Sequence, residues 1–129
     1  MAHPNAALLR NAYALFAKGD VPGFFALCTP NVRLHIPGKG LLSGSFTASE
    51  FVAALGPAMA AVAGSFREEV QRVVADDENG CVLVTQRAER DGKEHRWNAI
   101  HLYRIVSGKL DEFREYTDDE VAFEAAWHR

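Results

Sequence analysis

Apolar and polar positions change their period as the chain proceeds. Leu8, Ala12, Leu15 and Phe16 recur at i, i+4, i+7 and i+8, which predicts a helix over about 5–18, capped by Asn5 and ended by Gly19. Asp20 is placed to cap a second, short helix with Pro22 in its first turn. Thr29-Pro30-Asn31 breaks the chain before 32–36, which alternates as a strand. Thr47 and Glu50 form a capping box, with Phe46 and Phe51 as its hydrophobic staple. The helix they open is expected to kink or stop at Gly56-Pro57, because proline lacks the N–H that a helix interior uses. From Phe66 the period becomes two, predicting strands over about 66–75, 80–90, 93–106 and 109–116. Their turns fall at Glu78-Asn79-Gly80, Asp91-Gly92 and Ser107-Gly108. A second capping box, Thr117-Asp118-Asp119-Glu120, predicts a closing helix through about Trp127. Helices first and a long antiparallel sheet afterwards mean an α+β fold.

Hairpin register decides which side chains meet. A three-residue loop, Val106-Ser107-Gly108, asks only Gly108 for positive φ and is favoured on that ground. It sets Ile105 opposite Lys109, His101 opposite Phe113 and Ala99 opposite Glu115. Trp97, Ala99, His101, Phe113 and Glu115 then share one face, His101 and Glu115 are diagonal neighbours, and small Ala99 leaves space beside the carboxylate. The other face carries Ile100 and Leu102 with Leu110, Arg114 and Tyr116, and the helices can cover only one side. A homodimer through the outer sheet face is therefore expected. Two registers stay open at Asp91-Gly92. A two-residue loop brings Val82, Val84 and Gln86 to the His101 face but opposes Arg87 to Arg96 and Glu89 to Glu94. A three-residue loop turns Arg87 and Glu89 inward instead.

Composition narrows the function. With 129 residues, 48% hydrophobic and 24% charged, the chain reads as one globular domain over 1–129. A net charge of -3 with no basic stripe argues against a nucleic-acid partner. No apolar run approaches the ~18 residues of a membrane span, and the amino terminus does not read as a signal peptide, so a cytoplasmic setting is expected. Cys28 and Cys81 lie in apolar sequence without metal or redox spacing, and read as buried hydrophobes in a reducing compartment. Acids and histidines show no ligand spacing, nor is there a phosphate loop or dinucleotide fingerprint, so neither metal nor cofactor is expected.

The candidate chemistry is acid/base. Glu115, walled by Phe113 and Trp97, is expected to have its pKa raised by desolvation, with His101 beside it as proton shuttle. His35 is a third candidate, although alternation sets it with Arg33 and against Leu34 and Ile36. Trp97, Phe46, Phe113 and Phe16, with Gln86 or Arg87 according to register, are the candidate ligand-binding residues. Two classes of function fit. One is a cofactor-free enzyme that transfers a proton on a neutral cyclic or aromatic molecule; the other is a dimeric binding or accessory domain without chemistry.

Two strings, His35-Ile36-Pro37-Gly38 with Leu42-Ser43-Gly44-Ser45-Phe46, and Gly108 to Asp118 with Phe123 and Trp127, resemble the SnoaL-like branch of the nuclear transport factor 2-like superfamily, relatives of ketosteroid isomerase. The resemblance spans nearly the whole chain. It implies a cone of helices over a curved sheet that encloses a pocket, commonly in a dimer, and it implies little about the reaction. Ketosteroid isomerase has its general-base aspartate where Ile36 stands, and its oxyanion-donating tyrosine would fall near Ala12. SnoaL-type cyclases use an acid on the last strand and a histidine on the strand before, as Glu115 and His101 stand here. Limonene-epoxide-hydrolase-like enzymes offer an Arg-x-Asp and a last-strand Asp, to which Arg87-Ala88-Glu89 and Glu115 are similar, with His35 at the place of a water-holding asparagine. That version implies water addition and requires the three-residue Arg90-Asp91-Gly92 loop.

Overall fold

The computed structural model describes residues 3–129. Along it run α1 (Pro4–Ala17), α2 (Val21–Ala26), β1 (Cys28–Ile36), β2 (Gly44–Phe46), α3 (Ala48–Ala61), β3 (Arg67–Ala75), β4 (Asn79–Arg90), β5 (Lys93–Val106), β6 (Lys109–Thr117) and α4 (Glu120–Trp127). The strands form one six-stranded sheet in the order β2-β1-β6-β5-β4-β3, antiparallel except for the parallel pair β1–β6. This is the α+β architecture that the periodicity predicts, with the helices packed on one face of a curved sheet.

Caps account for most boundaries. Asp20 accepts from the Gly23 N–H, and Thr47 with Glu50 forms the full capping box, its staple visible as Phe46 against Phe51 at 6.2 Å between ring centres. Three expectations shift. His3, not Asn5, caps α1, because Pro4 takes the first helical position. Asn5 is buried instead and donates to the Asp76 and Asp77 carbonyls, tying α1 to the β3–β4 turn. Asp119 alone caps α4, since Thr117 still belongs to β6. Helix α3 passes through Pro57 to Ala61. Both Pro57 and Ala53, whose carbonyl loses its partner, are exposed, so water can satisfy it.

Both open hairpins close through two-residue turns. Asp91 and Gly92 have φ of 55° and 79°, and Ser107 and Gly108 have 50° and 74°, as a type I′ turn demands. The expected three-residue loop at Val106 is therefore incorrect: Val106 pairs with Lys109 and Ile105 with Leu110. A bulge then inserts Asp111, after which Arg104 faces Glu112, Tyr103 faces Phe113 and His101 faces Glu115 directly. Leu110 consequently points inward, 1% exposed, rather than outward with Ile100 and Leu102. Two-residue turn plus bulge has the same parity as a three-residue turn, so Trp97, Ala99, His101, Phe113 and Glu115 still share the buried face. At Asp91-Gly92 the pairs Arg87–Arg96 and Glu89–Glu94 do face each other, all four side chains exposed. Repulsion there is screened by water, while the same register buries Val82, Val84, Gln86 and Ala88.

Candidate functional site

A line of polar side chains crosses the buried face of the sheet. On β5, His101 donates from Nε2 to Glu115 Oε1 on β6 at 2.7 Å, and its Nδ1 lies 2.5 Å from the Tyr13 hydroxyl of α1. Tyr13 in turn meets the Tyr103 hydroxyl at 2.7 Å. On β4, the Gln86 amide nitrogen donates to Glu68 Oε2 of β3 at 2.6 Å and reaches Glu115 Oε1 at 3.5 Å. Trp97 Nε1 donates to Gln86 Oε1 at 2.7 Å, which fixes the amide so that its NH₂ faces the two carboxylates. Every buried side-chain nitrogen or oxygen among the described residues has a partner.

These groups edge a cavity otherwise built of hydrocarbon, with Ile36, Leu42, Phe51, Leu55, Met59 and Trp127 among its walls. Its void measures about 80 Å³. Burial raises the Tyr13 and Tyr103 hydroxyls well above the ordinary phenol range, so both stay protonated. Burial also raises the Glu68 carboxyl, against the smaller opposing pull of His101 and the Gln86 amide. For His101, burial is the largest single influence and pushes its pKa down. The Glu115 hydrogen bond and the charges of Glu115 and Glu68 together outweigh it and raise the pKa above the usual imidazole value.

Of the candidate residues, Glu115, His101, Gln86, Phe113 and Phe16 line this cavity. Others lie elsewhere. His35 is on the outer face, between Ser45 Oγ at 2.7 Å and Glu112 Oε2 at 3.3 Å, because alternation along β1 gives the interior to Leu34 and Ile36. Arg87 and Glu89 are exposed, since the two-residue Asp91-Gly92 turn sends Gln86 and Ala88 inward in their place. The arrangement of Arg87, Glu89 and Glu115 needed for epoxide-hydrolase-like water addition is thus absent. Trp97 is buried behind the cavity, edge-on to Phe123 and Trp127, and Phe46 packs on Phe51 without reaching the void. The sequence reading missed Tyr13, Tyr103 and Glu68. Tyr103 could have been found from the alternation of β5, as the next inward position after His101. Among the described residues no group of three or more histidines, cysteines or acids is arranged to hold a metal ion.

The SnoaL-like domain family matches residues 9–113, most of the chain. The chain belongs to the SnoaL-like family. An uncharacterised protein of Mycobacterium tuberculosis is 30% identical over 122 residues, covering 93% of each chain. Among solved structures, this SnoaL-like protein is similar to Bal32a from a soil-derived mobile gene cassette, with a TM-score of 0.88, 24% identity and 97% of each chain covered. It is also similar to TerC co-crystallised with polyporic acid, at a TM-score of 0.80 and 22% identity over 96% of this chain and 98% of that one. Structures described as cystatin-like and NTF2-like share the fold of this SnoaL-like chain, at TM-scores of 0.88 and 0.85. No described helix is long and apolar enough to cross a membrane.

Proposed function

We propose that the cavity binds a small hydrophobic ring compound and that His101, held by Glu115 and Tyr13, moves a proton on it. The observation that carries this reading is the unbroken hydrogen-bonded line Tyr103–Tyr13–His101–Glu115, buried against an otherwise apolar hollow. A protonated imidazole donates from Nε2 to the Glu115 carboxylate and from Nδ1 to the Tyr13 oxygen. That frees the Tyr13 hydrogen for Tyr103 or for a ligand oxygen. When a ligand oxygen takes the Tyr13 hydrogen, Tyr13 draws the Nδ1 proton of His101, neutral His101 remains, and the α-hydrogen that this protonation acidifies leaves to solvent water, the reverse transfers restoring the charged imidazole. The high pKa of Tyr13 opposes a lingering tyrosinate, so the two transfers are concerted. Glu115 stabilises the charged imidazole before transfer and orients the ring throughout.

The reaction class this supports is cofactor-free isomerisation or cyclisation. TerC, which shares the fold, was co-crystallised with polyporic acid, and this supports a ring-shaped ligand here. The void of about 80 Å³ is well below the ~300 Å³ of a drug-sized site. Binding therefore requires Leu55, Met59 or Phe66 to yield, and an unbranched methionine does so at low cost. A bicyclic ketone, 2-tetralone, is a suitable probe: binding is followed by the fluorescence of Trp127, and proton transfer by α-deuterium exchange in D₂O. The expected result is exchange accelerated by the wild type and reduced about 10²–10⁴-fold in His101→Gln. Bound ketone with no accelerated exchange would replace this with the second reading, a binding or accessory domain. What favours that second reading is that the polar line is fully satisfied without any ligand.

A second copy of the chain over the outer sheet face is part of the proposal, supported by Ile100, Leu102 and Tyr116, which are 43%, 40% and 54% exposed there. So is a cytoplasmic setting, supported by the unpaired Cys28 and Cys81.

A further inference from the structure

A groove between α1 and β3 adjoins the cavity, and Tyr13, Phe16, Phe66 and Glu68 line both. Its remaining walls are Ala14, Ala17 and Val70, and two cations, Arg10 and Arg67. On α1, Arg10, Tyr13, Ala14 and Ala17 stand at i, i+3, i+4 and i+7, one stripe of the helix that spans about 10 Å. Alanine at 14 and 17 keeps that stripe low enough to leave a slot, whose lining is apolar apart from the Tyr13 hydroxyl, Glu68 and the two arginines.

Two guanidiniums stand free at this groove. Among the described residues, neither Arg10 nor Arg67 has a carboxylate within ion-pair distance, and both line the same groove. Arg67 is also fixed in place: its Nη1 donates to the Gly64 and Phe66 carbonyls at 3.0 and 2.7 Å, while Nε and Nη2 remain to donate. Glu68, the one acid of the groove, is turned inward to Gln86 and does not neutralise either cation.

We propose that this groove holds the anionic tail of the ligand whose ring occupies the cavity. The ligand class is then a ring compound carrying a short side chain that ends in a carboxylate. The inference rests on the cavity being the ligand site and specifies what enters it. Ring in the chamber, chain past Tyr13 and Glu68 into the groove, and carboxylate at the Arg10 and Arg67 guanidiniums set apolar matter in the hydrocarbon hollow and the charge beside the cations. Guanidinium suits the terminal group because it offers paired N–H donors to a carboxylate.

The test compares 4-(2-naphthyl)butanoate with its methyl ester by isothermal titration calorimetry. The acid is expected to bind about tenfold more tightly at low salt, with the difference shrinking at high salt as exposed charges are screened. Arg10→Gln, on an exposed helix position, lowers acid affinity about threefold and leaves the ester unchanged. Arg10→Gln/Arg67→Gln, checked for folding by circular dichroism, removes the preference. An ester that binds as tightly as the acid overturns the inference and leaves the cavity reading standing. A preference that survives the folded double variant also overturns it, because the anion is then held elsewhere. If neither compound binds, the cavity reading fails and this inference fails with it.

Discussion

His101 is gripped at both ring nitrogens, so its protonation sets the direction of every neighbouring hydroxyl. Its folded pKa is raised, as is that of Glu68, and in both cases the folded state binds protons more tightly than the unfolded chain. For a raised pKa, the stability contribution is complete below the unfolded value and is lost as pH climbs through the folded one. Urea denaturation should therefore show stability falling as pH rises above about 6.5, the unfolded imidazole value, with the Glu68 loss beginning near about 4.3. His101→Gln should flatten the upper part of that decline; an unchanged slope would show that His101 is not the group responsible. Glu115→Gln keeps an acceptor for Nε2 but removes the charge. It should move the His101 titration to lower pH, visible in the imidazole NMR signals, and shift the exchange profile of 2-tetralone in the same direction. Glu115 and His101 were legible together because they lie on consecutive strands with a readable period. Tyr13 was not, since the stripe of Leu8, Ala12, Leu15 and Phe16 pointed past it, and only packing, which sets the rotation of a helix about its axis, buries Tyr13 together with Ala12.

Besides its bonds to His101 and to the β3–β4 turn, helix α1 packs closely on β4. Gly80, the second residue of β4, lies under Leu9, and a methyl group there would collide with Leu9 and crowd Ile105. Gly80→Ala should cost about 1–3 kcal/mol in chemical denaturation through overpacking. By lifting α1 it should also loosen the Tyr13–His101 contact, seen as lost exchange activity. The opposite sign is expected at the β5–β6 turn. Ser107 holds a positive φ that asparagine adopts more readily, so Ser107→Asn should stabilise by about 0.5 kcal/mol, and a loss of stability would contradict the type I′ assignment. This turn also marks a limit of sequence reading. Avoiding positive φ at Ser107 was a sound local argument, but it could not foresee that a bulge at Asp111 would restore the parity. That bulge is anchored from outside the hairpin, where Asp111 Oδ1 accepts from the Thr29 hydroxyl of β1 at 2.8 Å. Caps and strand lengths, by contrast, were legible because their chemistry lies within four residues.

Across the whole molecule, one sheet face is closed by helices and the other carries Ile100, Leu102, Val106 and Tyr116 at 40% exposure or more. If a second copy covers this face, Ile100→Asp/Leu102→Asp should convert dimer to monomer in light scattering while leaving the inward-facing residues of β5 in place. A wild type that already runs as a monomer at high concentration would refute the dimer. The closed face has a different consequence. Unfolding collapses the hollow beside His101 and lets water into its volume, so the native state occupies more space than the denatured one. Hydrostatic compression should thus melt this protein readily for its thermal stability, and a molecule that fills the hollow should make it measurably harder to squeeze apart.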